Sequence, residues 1–140
     1  MRFINTRSAV AALAAALVFM LGTPTCASLG QDKVPLMHDG YLILRLRVGC
    51  GGLTAQQRKT EIQLRMHNLM ARQFAQQDQD LVGQVVAKKW GKDMIIGTPD
   101  HLLLTVTRTD ARANNCDVTW LANYWRNRMV QALIIATRTG

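Results

Sequence analysis

Tyr41-Leu42-Ile43-Leu44-Arg45-Leu46-Arg47-Val48, then Gly49-Cys50-Gly51-Gly52, then Thr54-Ala55-Gln56-Gln57: these neighbouring stretches decide the fold. In the first, alternate residues are apolar, so Leu42, Leu44, Leu46 and Val48 fall on one face and Tyr41, Ile43, Arg45 and Arg47 on the other, the pattern of a half-buried strand. The glycines read as a turn. Thr54 with Gln57 matches a capping box, in which hydroxyl and amide side chains satisfy each other's backbone N–H groups, so a helix starts there. Its inner stripe is Ile62, Met66, Leu69, Met70 and Phe74, at spacings of three and four, and Gln76 to Asp80 ends it in polar residues.

Working outward toward the C-terminus, Gly83 to Trp90, Met94 to Ile96 and His101 to Thr107 are short strands. They are joined by Gly91-Lys92-Asp93 and by Gly97-Thr98-Pro99-Asp100, connections short enough to demand an antiparallel meander. In the third of these strands Leu102, Leu104 and Val106 are expected to face the core, opposite Leu103, Thr105 and Thr107. Asp117 caps a last helix striped by Val118, Leu121, Ala122, Trp125, Met129, Ala132 and Leu133. The expectation is an α+β two-layer sandwich of order β-α-β-β-β-α, with a four-stranded mixed sheet and both helices on one face. Residues 28–39 read as a flexible lead-in ending in the turn signal His38-Asp39-Gly40, and residues 40–140 as a single domain.

Toward the N-terminus, Arg2 and Arg7 precede an unbroken apolar run from Ala9 to Leu21. A membrane-spanning helix needs roughly 20 apolar residues, whereas the core of a secretory signal needs about 7 to 15. Gly22 and Pro24 break the run, and Thr25-Cys26-Ala27 offers small residues for cleavage. Residues 1–27 are therefore read as a signal peptide cut near Ala27, in preference to an uncleaved anchor or a lipid attached at Cys26. Cleavage would lower the formal charge of +8 by two. A basic exported domain finds its nearest electrostatic partners on anionic envelope surfaces such as lipid headgroups or wall polymers, and its compartment disfavours nucleic acid.

The chemistry-bearing residues are few. With the first strand running up, Cys50 and Cys116 fall at the same end of the domain, where an oxidising compartment would let them pair; such a bridge contributes on the order of 4 kcal/mol. Arg58, in the first turns of the helix, and Asp110, just past the last strand, meet at that end as a structural ion pair. Arg45 and Arg47 would share the open sheet face with Lys88, Thr105 and Thr107, forming a shallow basic platform for an anionic ligand. His38, His67 and His101 lie in three separate elements without a second ligand at helical or short-loop spacing, so neither a metal nor a cofactor is expected. Trp120 and Tyr124 are expected to be partly exposed on the last helix, with Trp125 in the core.

Asp39-Gly40 before a strand, Gly52-Leu53-Thr54-Ala55 with Arg58 opening a helix, Thr105-Val106-Thr107 with Asp110-Ala111, and a helix bearing Leu121-Ala122 and Trp125 form a set. Over about residues 38 to 135 this set resembles the N-terminal extramembrane domain of bacterial small-conductance mechanosensitive channel proteins. The resemblance implies that Arg58, Asp110 and Ala111 occupy recurrent positions of such a domain, here without the channel, and that an envelope membrane protein is a possible partner.

The functional expectation is an exported, non-enzymatic binding or interaction module. One alternative is a small hydrolase or ligand-processing enzyme that pairs Asp110 with His67 or His101, which requires a carboxylate and an imidazole within hydrogen-bond reach. The other is a structural or inhibitory protein. Composition leaves the oligomeric state open.

Overall fold

The computed structural model describes residues 33–77 and 79–139; the signal-peptide reading of residues 1–27 lies outside them. The fold is α+β, as expected. Its element order is β1 (Val34–His38), β2 (Tyr41–Leu46), α1 (Ala55–Ala75), β3 (Val86–Trp90), β4 (Asp93–Thr98), β5 (His101–Val106), α2 (Arg108–Ala113) and α3 (Val118–Thr139). No described helix is long and apolar enough to cross a membrane.

The expected four-stranded mixed sheet is not what forms. There are two antiparallel sheets, the hairpin β1–β2 and the meander β3–β4–β5. The cause is a strand that the sequence disguises. Val34-Pro35-Leu36-Met37-His38 lies in the expected lead-in and carries a proline, yet it pairs with β2 from Val34 opposite Leu46 to His38 opposite Tyr41. Proline is tolerated on an edge strand, where its missing N–H leaves no bond unmade. Asp39 and Gly40 close the hairpin with φ of 46° and 77°, the left-handed pair that a two-residue primed turn needs. With its partner supplied locally, β2 has no need of a place beside the meander.

Alternation within the strands is also broken, twice, by bulges. In β2 the register shifts so that Leu36 opposes Leu44 while Met37 opposes Leu42. Ile43 is therefore an extra residue, and Ile43 and Leu44 are both buried although adjacent in sequence. In β5, Ile96 opposes Leu104 while Gly97 opposes Leu102, which makes Leu103 the extra residue. Leu103 and Leu104 are both buried and Leu102 is exposed, so Leu102 and Leu103 exchange the faces expected of them. Gly97 permits this: a Cβ there would lie 2.3 Å from the His101 carbonyl oxygen.

The helices follow their stripes. Thr54 forms its capping box with Gln57, and the Asp117 carboxylate accepts from the N–H groups of Thr119 and Trp120. Ile62, Met66, Leu69 and Met70 of α1 and Leu121, Ala122, Trp125, Met129, Ala132 and Leu133 of α3 enter one core with Leu36, Leu46, Ile96 and Val106. Phe74, expected inside, is exposed at the end of α1. Helix α1 packs on β5 and β1, α3 packs on β2, β3 and β4, and the helices touch each other. They bind the two sheets into one hydrophobic unit.

Candidate functional site

Arginine side chains do two different jobs in this domain. Arg58, on the first turn of α1, is buried, with 4% of its surface exposed, and Asp110 with 1%. One guanidinium nitrogen donates to the Val48 carbonyl and to Asp110 Oδ1, each at 2.8 Å. The other donates to the Thr105 carbonyl at 3.0 Å and to Asp110 Oδ2 at 3.1 Å. Arg58 thus joins the chain leaving the hairpin to the last strand of the meander, across the gap where no strand pairing exists. Asp110 is fixed from the other side: its Oδ2 accepts from the Thr107 N–H and hydroxyl at 2.9 Å, in the capping box that starts α2. This is a closed network, and a closed network holds a fold together.

Two more arginines finish open backbone carbonyls in β2 and just before β3. Arg128 of α3 donates from Nε to the Ile43 carbonyl at 3.3 Å and from Nη2 to that of Leu42, the carbonyls at the β2 bulge, and lies 4.7 Å over the Tyr41 ring. Arg126 donates to the Val85 carbonyl at 2.7 Å.

Arg45 and Arg47 differ from all of these. They line a groove of about 300 Å³ between β2 and α3, with Asn114, Trp120, Tyr124 and Arg128 around them. Neither belongs to an ion pair among the described residues, and the buried Nε of Arg47 has no hydrogen-bond partner. Among the described residues no carboxylate lines the groove. On its α3 wall the exposed rings of Trp120 and Tyr124, one helical turn apart, stack at 5.3 Å with planes 5° apart. An anionic group entering here would meet two guanidinium donors beside an aromatic surface.

The platform expected on the open sheet face is therefore not assembled. Arg45 and Arg47 face the α3 groove because their hairpin is a separate sheet. Lys88 and Thr105 do share the outer face of the meander, on either side of Ile95, with Thr105 also lining a shallow depression beside Cys50 and Arg58. The Thr107 hydroxyl is committed to Asp110.

The expected disulfide is also corrected: Cys50 and Cys116 are free thiols. Cys50 is held in a tight turn by reciprocal backbone bonds with Leu53. Cys116 follows Asn115, whose φ of 52° ends α2, and its thiol turns to the Ala111 carbonyl at 3.8 Å. Burial pushes the Cys116 thiol above its ordinary pKa.

Neither histidine reaches Asp110. His101 begins β5 and Asp110 lies beyond its far end, roughly 17 Å away at 3.3 Å per strand residue. His67 lies nine residues along α1 from Arg58, roughly 13 Å at 1.5 Å per helical residue. The His101 Nε2 is bonded to the Arg65 carbonyl at 2.9 Å. His67 instead shares a cleft of about 590 Å³ with His38, Asp39, Met70 and Phe74. There the His38 Nε2, 3.7 Å from Asp39 Oδ2, is buried with no hydrogen-bond partner among the described residues. Sequence spacing does not bring His38 and His67 together, because the hairpin that carries His38 depends on pairing with β2 and not on local signals. No group of three or more His, Cys, Asp or Glu side chains converges as a metal site among the described residues.

Residues 35–136 match a family described as Domain of unknown function (DUF8459). No curated protein and no solved structure matches the chain.

Proposed function

Since the chain belongs to the DUF8459 family, whose description names no chemistry, we propose from its own residues that it is a non-enzymatic binding module that takes an anionic group in the α3 groove. One observation carries this reading: among the described residues the Arg45 and Arg47 side chains make neither an ion pair nor a hydrogen bond, and no described carboxylate lines their groove. An arginine that holds a fold is bonded as Arg58 is; an unsatisfied buried guanidinium N–H costs free energy until something accepts from it. Carboxylate and phosphate match the guanidinium fork, and the Trp120–Tyr124 pair adds a surface for the body of the ligand.

The apolar run at Ala9–Leu21 after Arg2 and Arg7, together with the overall basic charge, supports an exported protein whose partners are anionic envelope surfaces or an envelope membrane protein. The motif set that resembles extramembrane channel domains fits that location.

The test is retention on immobilised polyphosphate and on immobilised polygalacturonate at rising salt. The reading expects retention on at least one, weakening with ionic strength and lost in Arg45→Gln/Arg47→Gln. Equal elution of the double variant and the unmodified protein from both columns would refute it. A ligand-processing enzyme is favoured only by the imidazole beside a carboxylate in the His38–Asp39–His67 cleft; turnover of small esters or amides that disappears in His38→Ala would select it.

A further inference from the structure

The outer face of the meander poses a problem that the groove does not answer. Val86, Lys88 and Trp90 alternate onto this face of β3, beside Ile95 and Leu102. Val86 and Leu102 are exposed, and Trp90, at the tip of the β3–β4 hairpin, is the most exposed large apolar side chain among the described residues at 67%. Cations surround that tip. Lys88 and Lys89 precede Trp90, Lys92 sits in the turn, and Arg108 is tied beside it by donating its Nε–H to the Lys92 carbonyl at 3.2 Å. The nearby carboxylate, Asp93, accepts from the Arg108 N–H and is occupied as a cap.

Lysines on an edge strand have an ordinary role, which is to prevent edge-to-edge pairing. That role does not account for an exposed tryptophan and valine on the same strand, since these invite burial. A second copy of the chain is a poor occupant: antiparallel pairing of β3 with itself would set Lys88 against Lys88, and like charges directly opposite destabilise a sheet. A carbohydrate or phosphate polymer would meet the charge but offers no apolar depth to Trp90. An anionic lipid leaflet offers both, headgroups for the lysines and an apolar boundary for an indole that prefers the interface.

We propose that the β3–β4 hairpin tip is a membrane-docking device, in which Trp90 enters the interface of an anionic bilayer while Lys88, Lys89, Lys92 and Arg108 rest on its headgroups. It uses no residue of the α3 groove, so the two readings stand or fall separately.

The experiment is cosedimentation of the full chain with phosphatidylcholine vesicles and with vesicles half phosphatidylglycerol, at low and at physiological salt. The neutral vesicles measure whatever the apolar run Ala9–Leu21 contributes. The additional binding to anionic vesicles is expected to fall roughly tenfold in Trp90→Ala and about fivefold for each of Lys88→Gln, Lys89→Gln and Lys92→Gln. Trp90→Phe, which keeps an apolar ring, should retain binding and lose the share of tryptophan fluorescence that doxyl-labelled lipid quenches. Unchanged circular dichroism shows that the exposed substitutions leave the fold intact. Equal binding to neutral and anionic vesicles, indifference to Trp90→Ala, or a concentration-dependent dimer abolished by Trp90→Ala would each overturn the proposal.

Discussion

Arg58 and Arg47 are the same residue type, less than a dozen positions apart on either side of one turn, and their surroundings are opposite. Arg58 donates to a carboxylate and to the carbonyls of Val48 and Thr105, joining segments from two sheets. Arg47 keeps a buried Nε–H without an acceptor among the described residues, in a groove lined by other donors and by aromatic rings. The contrast separates charge that holds the fold from charge left for a partner. Composition alone makes no such distinction.

The largest expected effect comes from breaking the satisfied end. Asp110→Ala strands a buried guanidinium and removes a cap at once, and should cost about 3 to 5 kcal/mol in urea denaturation. Asp110→Asn, which keeps the shape and part of the hydrogen bonding, should cost less. If both variants unfolded at the midpoint of the unmodified protein, the Arg58 network would not be what joins hairpin to meander.

Next in size is Gly97→Ala, which sets a methyl group against the His101 carbonyl at the β5 bulge and should cost about 1 to 3 kcal/mol in the same assay. Thr54→Ala removes the hydroxyl half of the α1 capping box and should cost about 1 kcal/mol. Neither bears on the groove, so both variants should keep their affinity for polyanions at temperatures where they are folded.

The smallest expected effect is a pH dependence. Hydrogen bonds from Arg72 and then Thr98 hold the Asp100 carboxyl below its ordinary pKa, and the backbone N–H groups of Trp120 and Thr119 do the same for Asp117. For a carboxylate whose pKa is lowered by folding, the stabilisation is complete above the unfolded value, about 3.9. It is lost as pH falls through the lower folded value. Melting temperature should therefore decline below about pH 4, and Asp100→Asn/Asp117→Asn should lower the neutral plateau slightly, where that stabilisation is present, and leave the acid values nearly unchanged, so that the acid limb flattens.

Local signals made much of this molecule legible. The Thr54–Gln57 box, the Asp117 cap, the short meander turns and the stripes of both long helices could be read because each depends on residues within a few positions of one another. The Arg58–Asp110 encounter needed only the direction of two elements. What escaped the reading depends on pairing. Val34–His38 gains its strand character from β2, not from its own residues, among which Pro35 argues against a strand. The bulges at Ile43 and Leu103 each insert one residue, so the expected faces fail locally, at Ile43 and at Leu102 and Leu103, and hold beyond. Arg45 and Arg47 border α3 and not Lys88 because the hairpin that carries them forms a sheet of its own. The His38–His67 cleft escaped with the same hairpin.

The most direct test of the contrast is a two-dimensional NMR titration with inorganic phosphate that follows the arginine Nε–Hε and tryptophan indole resonances. The Arg47, Arg45 and Trp120 signals should move together along one saturable curve while Arg58 stays fixed. Movement of Arg58 with Arg47 still, or no saturable movement in the groove at all, would contradict the assignment of one arginine to the fold and the other to a ligand.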